Sequence, residues 1–421
     1  MNGSKYILLL LIGLSSSCQI LRSDPNRPTY ENGANSDTTQ TVVKPDETNV
    51  PDKPVVEVPK FDQVEFHGEY FHVASRQEQF DVALILPFYF GANNDRSAAT
   101  SNVMLHYYQG VKLALRELES RGLNLKLHVY DNVNDTSQTK KILDYSQMKK
   151  MDLIIGPIIE SHLKIVSQFS RKHKIPVFSP FSKVDGLGQA NSAFFSTIPS
   201  NELKAKRLVE FWEDNYVDHK LLILRDNGRM EKDFVPYLIE ALKRSGKLLY
   251  SEVEYTTKLD WTTELSRTDE NLIYIPSLNR KKVSSSMGKI FAAKRKVVVF
   301  GEQSWAQFED NDYNFWSKMN VHLVANEFID ALDTNNFHFR RYFRAAYQED
   351  PEVYSYMGYD QMSFIGEFLM AFGEHFPMYL EGRSFKYLGT TFEFGMENGF
   401  QQNHHLFFLK FEDYKLQRIQ D

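Results

Sequence analysis

Residues 81–88 read DVALILPF, an apolar run of strand length, which marks a strand covered on both faces. The stretches after it decide the architecture. NVMLHYYQGVKLALRELESRG (102–122) has apolar residues at helical spacing and stops at a glycine. LKLHVYD (125–131) reads as a strand, DTSQTKKILDYSQM (135–148) as a capped helix and MDLIIGP (151–157) as a strand. ESHLKIVSQFSRKHK (160–174) is again helical, and IPVFSPFS (175–182) is a strand. Strand alternating with helix predicts an α/β fold, a mainly parallel sheet flanked by helices on both faces.

After AFFSTIPS (193–200) the alternation restarts. LKAKRLVEFWEDNY (203–216) and DFVPYLIEALKRSG (233–246) read as helices. HKLLILRD (219–226), LLYSEVEY (248–255), NLIYIP (271–276) and KVVVFGE (296–302) read as strands. Two such units of roughly 120 residues each suit the length. Residues 335–376 predict two helices broken near Asp350-Pro351. The aromatic alternation of 387–419 predicts strands, with Glu397-Asn398-Gly399 as a hairpin turn.

The N-terminus has a different character. Lys5, the apolar run 7–14 and Ser15, Ser16 and Ser17 have the layout of a secretory signal, so residues 1–17 are expected to be a signal peptide. The run is shorter than the ~20 residues of a membrane span, and no transmembrane segment is expected. Cys18, the only cysteine, comes directly after the small residues and resembles a bacterial lipobox. In that reading its sulfur carries a diacylglycerol and anchors the chain at ~0.8 kcal/mol per buried CH₂. An ordinary signal with an incidental cysteine is the alternative. A single cysteine forms no intramolecular disulfide, and acylation would remove an exposed thiol.

Residues 18–79 are rich in Pro, Asp, Asn and Thr and show no apolar periodicity before Phe61. They predict a lipidated cysteine and a disordered tether that contributes no core, spanning about 40–50 Å as a coil. Within it, 64–74 reads equally as strand or irregular chain. The net charge of −6 argues against nucleic acid, and the local lysines of 279–286 and 294–300 read as solvated helix ends.

Eight short stretches, in order, resemble the type 1 periplasmic solute-binding protein superfamily of branched-chain amino acid receptors. They are VALILPF, YYQGVKLALREL, LHVYDNVND, DLIIGPIIESH, KIPVFSPFS, FFSTIPS, YMGYDQMSFIGEFL and LGTTFEFGMENGF. The chain is similar to a subgroup of LysM-associated substrate-binding lipoproteins, with the tether where a LysM repeat would stand. The resemblance implies a periplasmic-binding-protein-like domain over 80–421, with two lobes and a ligand cleft between them. Lobe one would hold 80–199 and 326–386, and lobe two 200–325 and 387–421.

Ligands of open α/β sheets bind beyond the carboxyl ends of the strands. On that rule the cleft candidates are Tyr89, Asp131, Glu160, Ser161, Phe181, Ser182 and Lys183 from lobe one, and Arg225, Glu302 and Ser304 from lobe two. Asp226, Asn227, Ser277 and Trp305 lie nearby. Asp131 reads alternatively as a turn cap, Glu160 as a first-turn acid facing the helix dipole, and Phe181 as packing. Glu160 and Lys183 stand where amino-acid-binding relatives carry hydroxyls, which argues against an amino-acid carboxylate.

No G-x-S-x-G, H-E-x-x-H or Walker A loop is present, so an enzyme is not expected. Neither is a cofactor. His404-His405 does not predict a metal site, because neighbours on a strand face opposite ways. The residues and the resemblance support two functions. One is a cell-envelope lipoprotein binding a small polar solute, as a receptor for a membrane permease would. The other is an interaction module docking on an envelope enzyme such as a peptidoglycan synthase. Gln19 after the cysteine, rather than aspartate, points to the outer membrane facing the periplasm.

Overall fold

The computed structural model describes residues 63–72, 79–90, 95–309 and 311–419. Cys18, the signal and most of the tether lie outside them. Two elements precede the expected first strand: β1 (Gln63–Phe66) and β2 (Glu69–His72). The first α/β unit is β3 (Phe80–Leu86), α1 (Asp95–Ser120), β4 (Leu125–Asp131), α2 (Thr136–Asp144), β5 (Leu153–Ile155), α3 (Glu160–His173), β6 (Val177–Ser179) and β7 (Phe194–Ser196). The second unit opens with α4 (Asn201–Tyr216), β8 (Leu221–Arg225), α5 (Arg229–Ser245), β9 (Tyr250–Glu254) and α6 (Trp261–Glu264). It closes with β10 (Asn271–Tyr274), α7 (Arg280–Ala292), β11 (Val297–Glu302), α8 (Tyr313–Lys318) and β12 (Val321–Ala325). Then come α9 (Thr334–Tyr347), α10 (Val353–Phe372), β13 (Phe385–Lys386), β14 (Thr391–Phe392), β15 (Phe394–Glu397), β16 (Phe400–Asn403), β17 (Phe407–Glu412) and β18 (Lys415–Arg418).

Two seven-stranded sheets result, ordered β15-β16-β7-β6-β5-β3-β4 and β18-β17-β12-β11-β10-β8-β9. The βα-connected strands pair in parallel, and the chain's last strands close each sheet with antiparallel pairs. The sheets form the two expected lobes, but the C-terminal division differs from expectation. The sequence expectation puts β15 and β16 with lobe two. Instead β16 pairs with β7 and extends the lobe-one sheet. Their aromatics explain it: Phe394 lies 5.6 Å from Phe195 and Phe400 lies 5.9 Å from Phe194, ring to ring. The chain therefore returns to lobe two at 404–406, not at 387.

The core of lobe one is organised by the packing of α1 on α10. Gly110 and Gly358 let the backbones touch: a Cβ on Gly358 would sit 2.0 Å from the Tyr107 carbonyl oxygen, and one on Gly110 2.0 Å from that of Ser355. Elsewhere on α10, Phe364, Phe368 and Phe372 join Phe385, Phe392 and Phe394 in one cluster. Asp360, fully buried on α10, accepts the backbone N–H groups of Leu388, Gly389 and Thr390 at 3.1, 2.8 and 2.9 Å. Gly389 in turn accepts from the Phe328 N–H at 2.8 Å, which ties in the second of the three crossings between lobes, at 197–200, 326–333 and 404–406. No helix among the described residues is long and apolar enough to cross a membrane.

The β1–β2 hairpin corrects the expected tether. His67 and Gly68 have positive φ, as a two-residue hairpin loop requires. Val64 is buried and opposite Phe71, and Phe66 packs edge-on against Phe368 and Phe372 at 4.7 and 5.0 Å. Arg383 binds Glu69 at 3.1 Å and covers the Phe71 ring at 4.9 Å. So 63–72 belongs to lobe one, because alternate apolar side chains on a short hairpin find the aromatic end of α10.

Gly358→Ala is expected to cost about 3 kcal/mol, since its methyl meets a backbone carbonyl that cannot rotate away; urea denaturation with an unchanged midpoint would contradict the contact. Phe66→Ala is expected to cost about 2 kcal/mol as a half-buried aromatic truncation. Removing residues 1–78 should lower the thermal midpoint in the same sense, and an unaltered midpoint would restore the disordered-tether reading.

Candidate functional site

Both sheets carry the doubly wound order in which the second unit strand lies outside the first and the third lies inside. The crevice of such a sheet opens between first and third strands, at their carboxyl ends. In lobe one these are β3 and β5, so the crevice is edged by 87–90 and 156–160. In lobe two they are β8 and β10, and the edges are 226–228 and 275–277.

The structure commits several expected ligand groups to internal bonds. Asp131 accepts the N–H groups of Phe88, Phe90 and Val133 at 3.0, 2.8 and 2.9 Å and so holds the loop after β3 in shape. Ser182 donates to the Ile158 carbonyl at 2.5 Å. Phe181 stands edge-on to Tyr107 at 5.0 Å and Tyr354 at 5.8 Å, as packing. Arg225 pairs with Glu231 at 2.6 Å and with Glu252. Asp226 is bonded by Ser277 and by the Gly228 N–H, and Trp305 is fully buried with its indole N–H on the Ser277 carbonyl at 2.8 Å. The two edges of the lobe-two crevice are thereby bonded to each other through Asp226 and Ser277.

Other groups stay open. Glu160 and Ser161 are exposed at the start of α3, whose cap residue Ile159 offers no side-chain acceptor. Glu160 is met by Lys164 at 2.9 Å and lies over Gly186. Tyr89, half-buried with φ +55°, and the exposed Phe90 form the lip of lobe one. The Ser304 hydroxyl is out of water with no partner among the described residues.

Where the lobes meet, Lys183 reaches across from the loop after β6 and donates to Asn201 at the head of α4, at 2.6 Å. Asp185 accepts the Asn201 N–H at 2.8 Å. Behind Asn201, Lys204 and Glu302 form a buried ion pair at 2.7 Å, with the Tyr274 hydroxyl also on Glu302 at 2.7 Å. Burial, with the charge of Lys204 next in size, holds the Lys183 ammonium below its ordinary pKa range. Burial likewise lifts the Asp185 carboxyl. On the second crossing, Glu327 accepts the Gln303 amide at 2.9 Å, and burial lifts its pKa against that bond.

Of the sequence candidates, Lys183 and Glu302 fall in this polar cluster, and Asn201, Lys204, Tyr274, Gln303 and Glu327 join them there without having been singled out by the sequence. A lysine on the apolar face of α4, one turn before Leu208, was the available signal for Lys204. The acid beside Phe328 at the expected second crossing was the signal for Glu327. His404 and His405 face different carboxylates, Glu397 and Glu393, each at 3.8 Å. No metal-ligating cluster occurs among the described residues.

Residues 106–300 match the receptor family ligand binding region. No curated protein matches the chain. Solved structures resemble it over most of its length. A putative branched-chain amino acid ABC transporter protein from Rhodospirillum rubrum superposes with a TM-score of 0.62 at 12% identity, covering 81% of this chain and 100% of its own. A branched-chain amino acid ABC transporter periplasmic ligand-binding protein from Burkholderia xenovorans LB400 gives 0.58 at 12% identity, covering 81% and 95%. An ABC transporter substrate-binding protein from Desulfitobacterium hafniense, solved with Leu, gives 0.54 at 14% identity, covering 81% and 100%. Two parallel-dominated sheets flanked by helices, paired in this way, make the chain a two-lobed protein of the type 1 periplasmic binding fold.

Proposed function

We propose that the protein is a cell-envelope lipoprotein that binds a small polar solute between its lobes, without catalysing a reaction on it. The observation that carries the reading is the gathering of partly dehydrated polar groups from both lobes at one place. Lys183 and Asp185 come from lobe one, Asn201 and the Lys204–Glu302 pair from lobe two, and Glu327 from a crossing. Convergent polar groups with shifted pKa values mark sites that take up a polar ligand. The lobes are read as 63–72, 80–199 and 326–403, and as 200–325 with 407–419. A ligand bridging them would favour the closed form by hinge motion. Opposite charges on one wall, Glu160 and Lys183, suit a zwitterionic or hydroxyl-rich solute.

The amino-acid pattern of the superfamily does not extend to this site, since Ser182 is turned to a carbonyl and Glu160 would repel a carboxylate. That same observation, with Phe90 74% exposed at the lip, favours a second reading: docking on an envelope enzyme, with no solute. Anchoring is assigned to a lipid on Cys18, with the domain facing the periplasm from the outer membrane and a permease as the partner that the first reading calls for.

Ligand excess should raise stability by ~2.7 kcal/mol at a hundredfold excess over Kd. A thermal-shift screen of amino acids, short peptides, sugars and muropeptides measures it. Lys183→Ala and Glu327→Gln are expected to abolish the shift of any hit. A broad library without a hit, together with one reproducible envelope partner in pull-downs, would replace solute binding by docking. For the anchor, Cys18→Ala is expected to remove labelled-palmitate incorporation; equal labelling of variant and wild type would refute lipidation at that residue.

A further inference from the structure

A cavity of about 530 Å³ lies beside the second and third crossings, and none of the cleft residues named above is among those that line it. Phe328, Phe407 and Leu416 supply apolar wall, and Lys386, Lys415 and Arg418 supply positive charge. Asp330 is the one carboxylate among its lining residues. Lys386 belongs to lobe one, Lys415 and Arg418 to lobe two, so the cavity spans both.

Arg418 is held in a fixed place. Its guanidinium carbon lies 4.7 Å over the Phe407 ring and 5.5 Å over the Phe328 ring. One Nη donates to the Phe328 carbonyl at 3.2 Å, while Nε is out of water with no acceptor. A guanidinium has five N–H donors; one of them is committed to the Phe328 carbonyl, and the Asp330 and Asp333 carboxylates act on its charge from nearby. Lys386 and Lys415 are both exposed, and neither has an acceptor among the described residues. Three cations with unused donors over an aromatic and aliphatic wall form a complementary surface for one chemistry, a carboxylate on an apolar body.

We infer that this cavity is a second ligand site, specific for a small organic carboxylate with an aromatic or aliphatic body. The carboxylate lies toward Lys386, Lys415 and Arg418, and the body lies against Phe328, Phe407 and Leu416. The inference does not depend on the cleft holding a solute.

The test is isothermal titration of the full chain with benzoate and with octanoate, using benzamide and sulfate as controls that lack the charge or the body. At least one carboxylate should bind, and both controls should fail. Lys386→Glu with Lys415→Glu, both exposed and outside the core, should weaken that binding tenfold or more, while Lys183→Ala leaves it unchanged. Arg418→Gln, checked for a retained thermal midpoint, should weaken it as well. No binding of either carboxylate at millimolar concentration, equal binding of benzamide or sulfate, or unchanged affinity in the double variant overturns the site. Loss of binding in Lys183→Ala would move the carboxylate to the cleft and equally overturn it.

Discussion

The turn that carries Lys183 on the lobe-one wall of the cleft hangs on two helices whose backbones touch. Glycine at 110 and 358 brings α1 and α10 close enough for Tyr107 to donate its buried hydroxyl to Gln361 at 2.8 Å. Gln361 then donates to the Pro180 carbonyl at 3.1 Å. Pro180 begins the turn that carries Phe181, Ser182 and Lys183. A small change in helix separation would therefore reach Lys183 through only two hydrogen bonds. Packing at this density transmits displacement rather than absorbing it.

The polar groups between the lobes are of two kinds. Asp131, Arg225 and Asp226 shape loops and have their partners within their own lobe. Lys183, Asn201, Gln303 and Glu327 make bonds from one lobe to a crossing or to the other lobe. The buried pair Lys204–Glu302 stands behind them, and a pair of that kind is costly to break by removing one partner. It gives the first crossing a rigid support on the lobe-two side. Asp360 does the same on the lobe-one side by fixing 388–390, to which the second crossing is bonded.

The strands β3, β5, β6 and β11 were legible because a strand covered on both faces reads as a near-continuous apolar run. The break between α9 and α10 was legible because Pro351 cannot continue a helix. The strand character of 394–403 could be read from its alternation, but its sheet could not. Period two says that one face is buried and does not say against what. The β1–β2 hairpin was obscured for a related reason: Val64, Phe66 and Phe71 form a face only once Gly68 has turned the chain. At the site, position was readable and commitment was not. The loops follow the strand ends that the sequence indicated, yet whether a serine or aspartate there faces outward or bonds to backbone depends on distant partners. Lys204 and Glu302 are 98 residues apart in sequence.

The docked hairpin also sets a mechanical polarity. The chain preceding residue 63 leaves from lobe one, clamped by Phe66 on α10 and by Arg383 on Glu69. Whatever holds that leading segment holds lobe one as a stator. Lobe two, joined to it by three crossings, is then the lobe left free to move against a held partner, and any closure would work against viscous drag on lobe two rather than on the whole molecule.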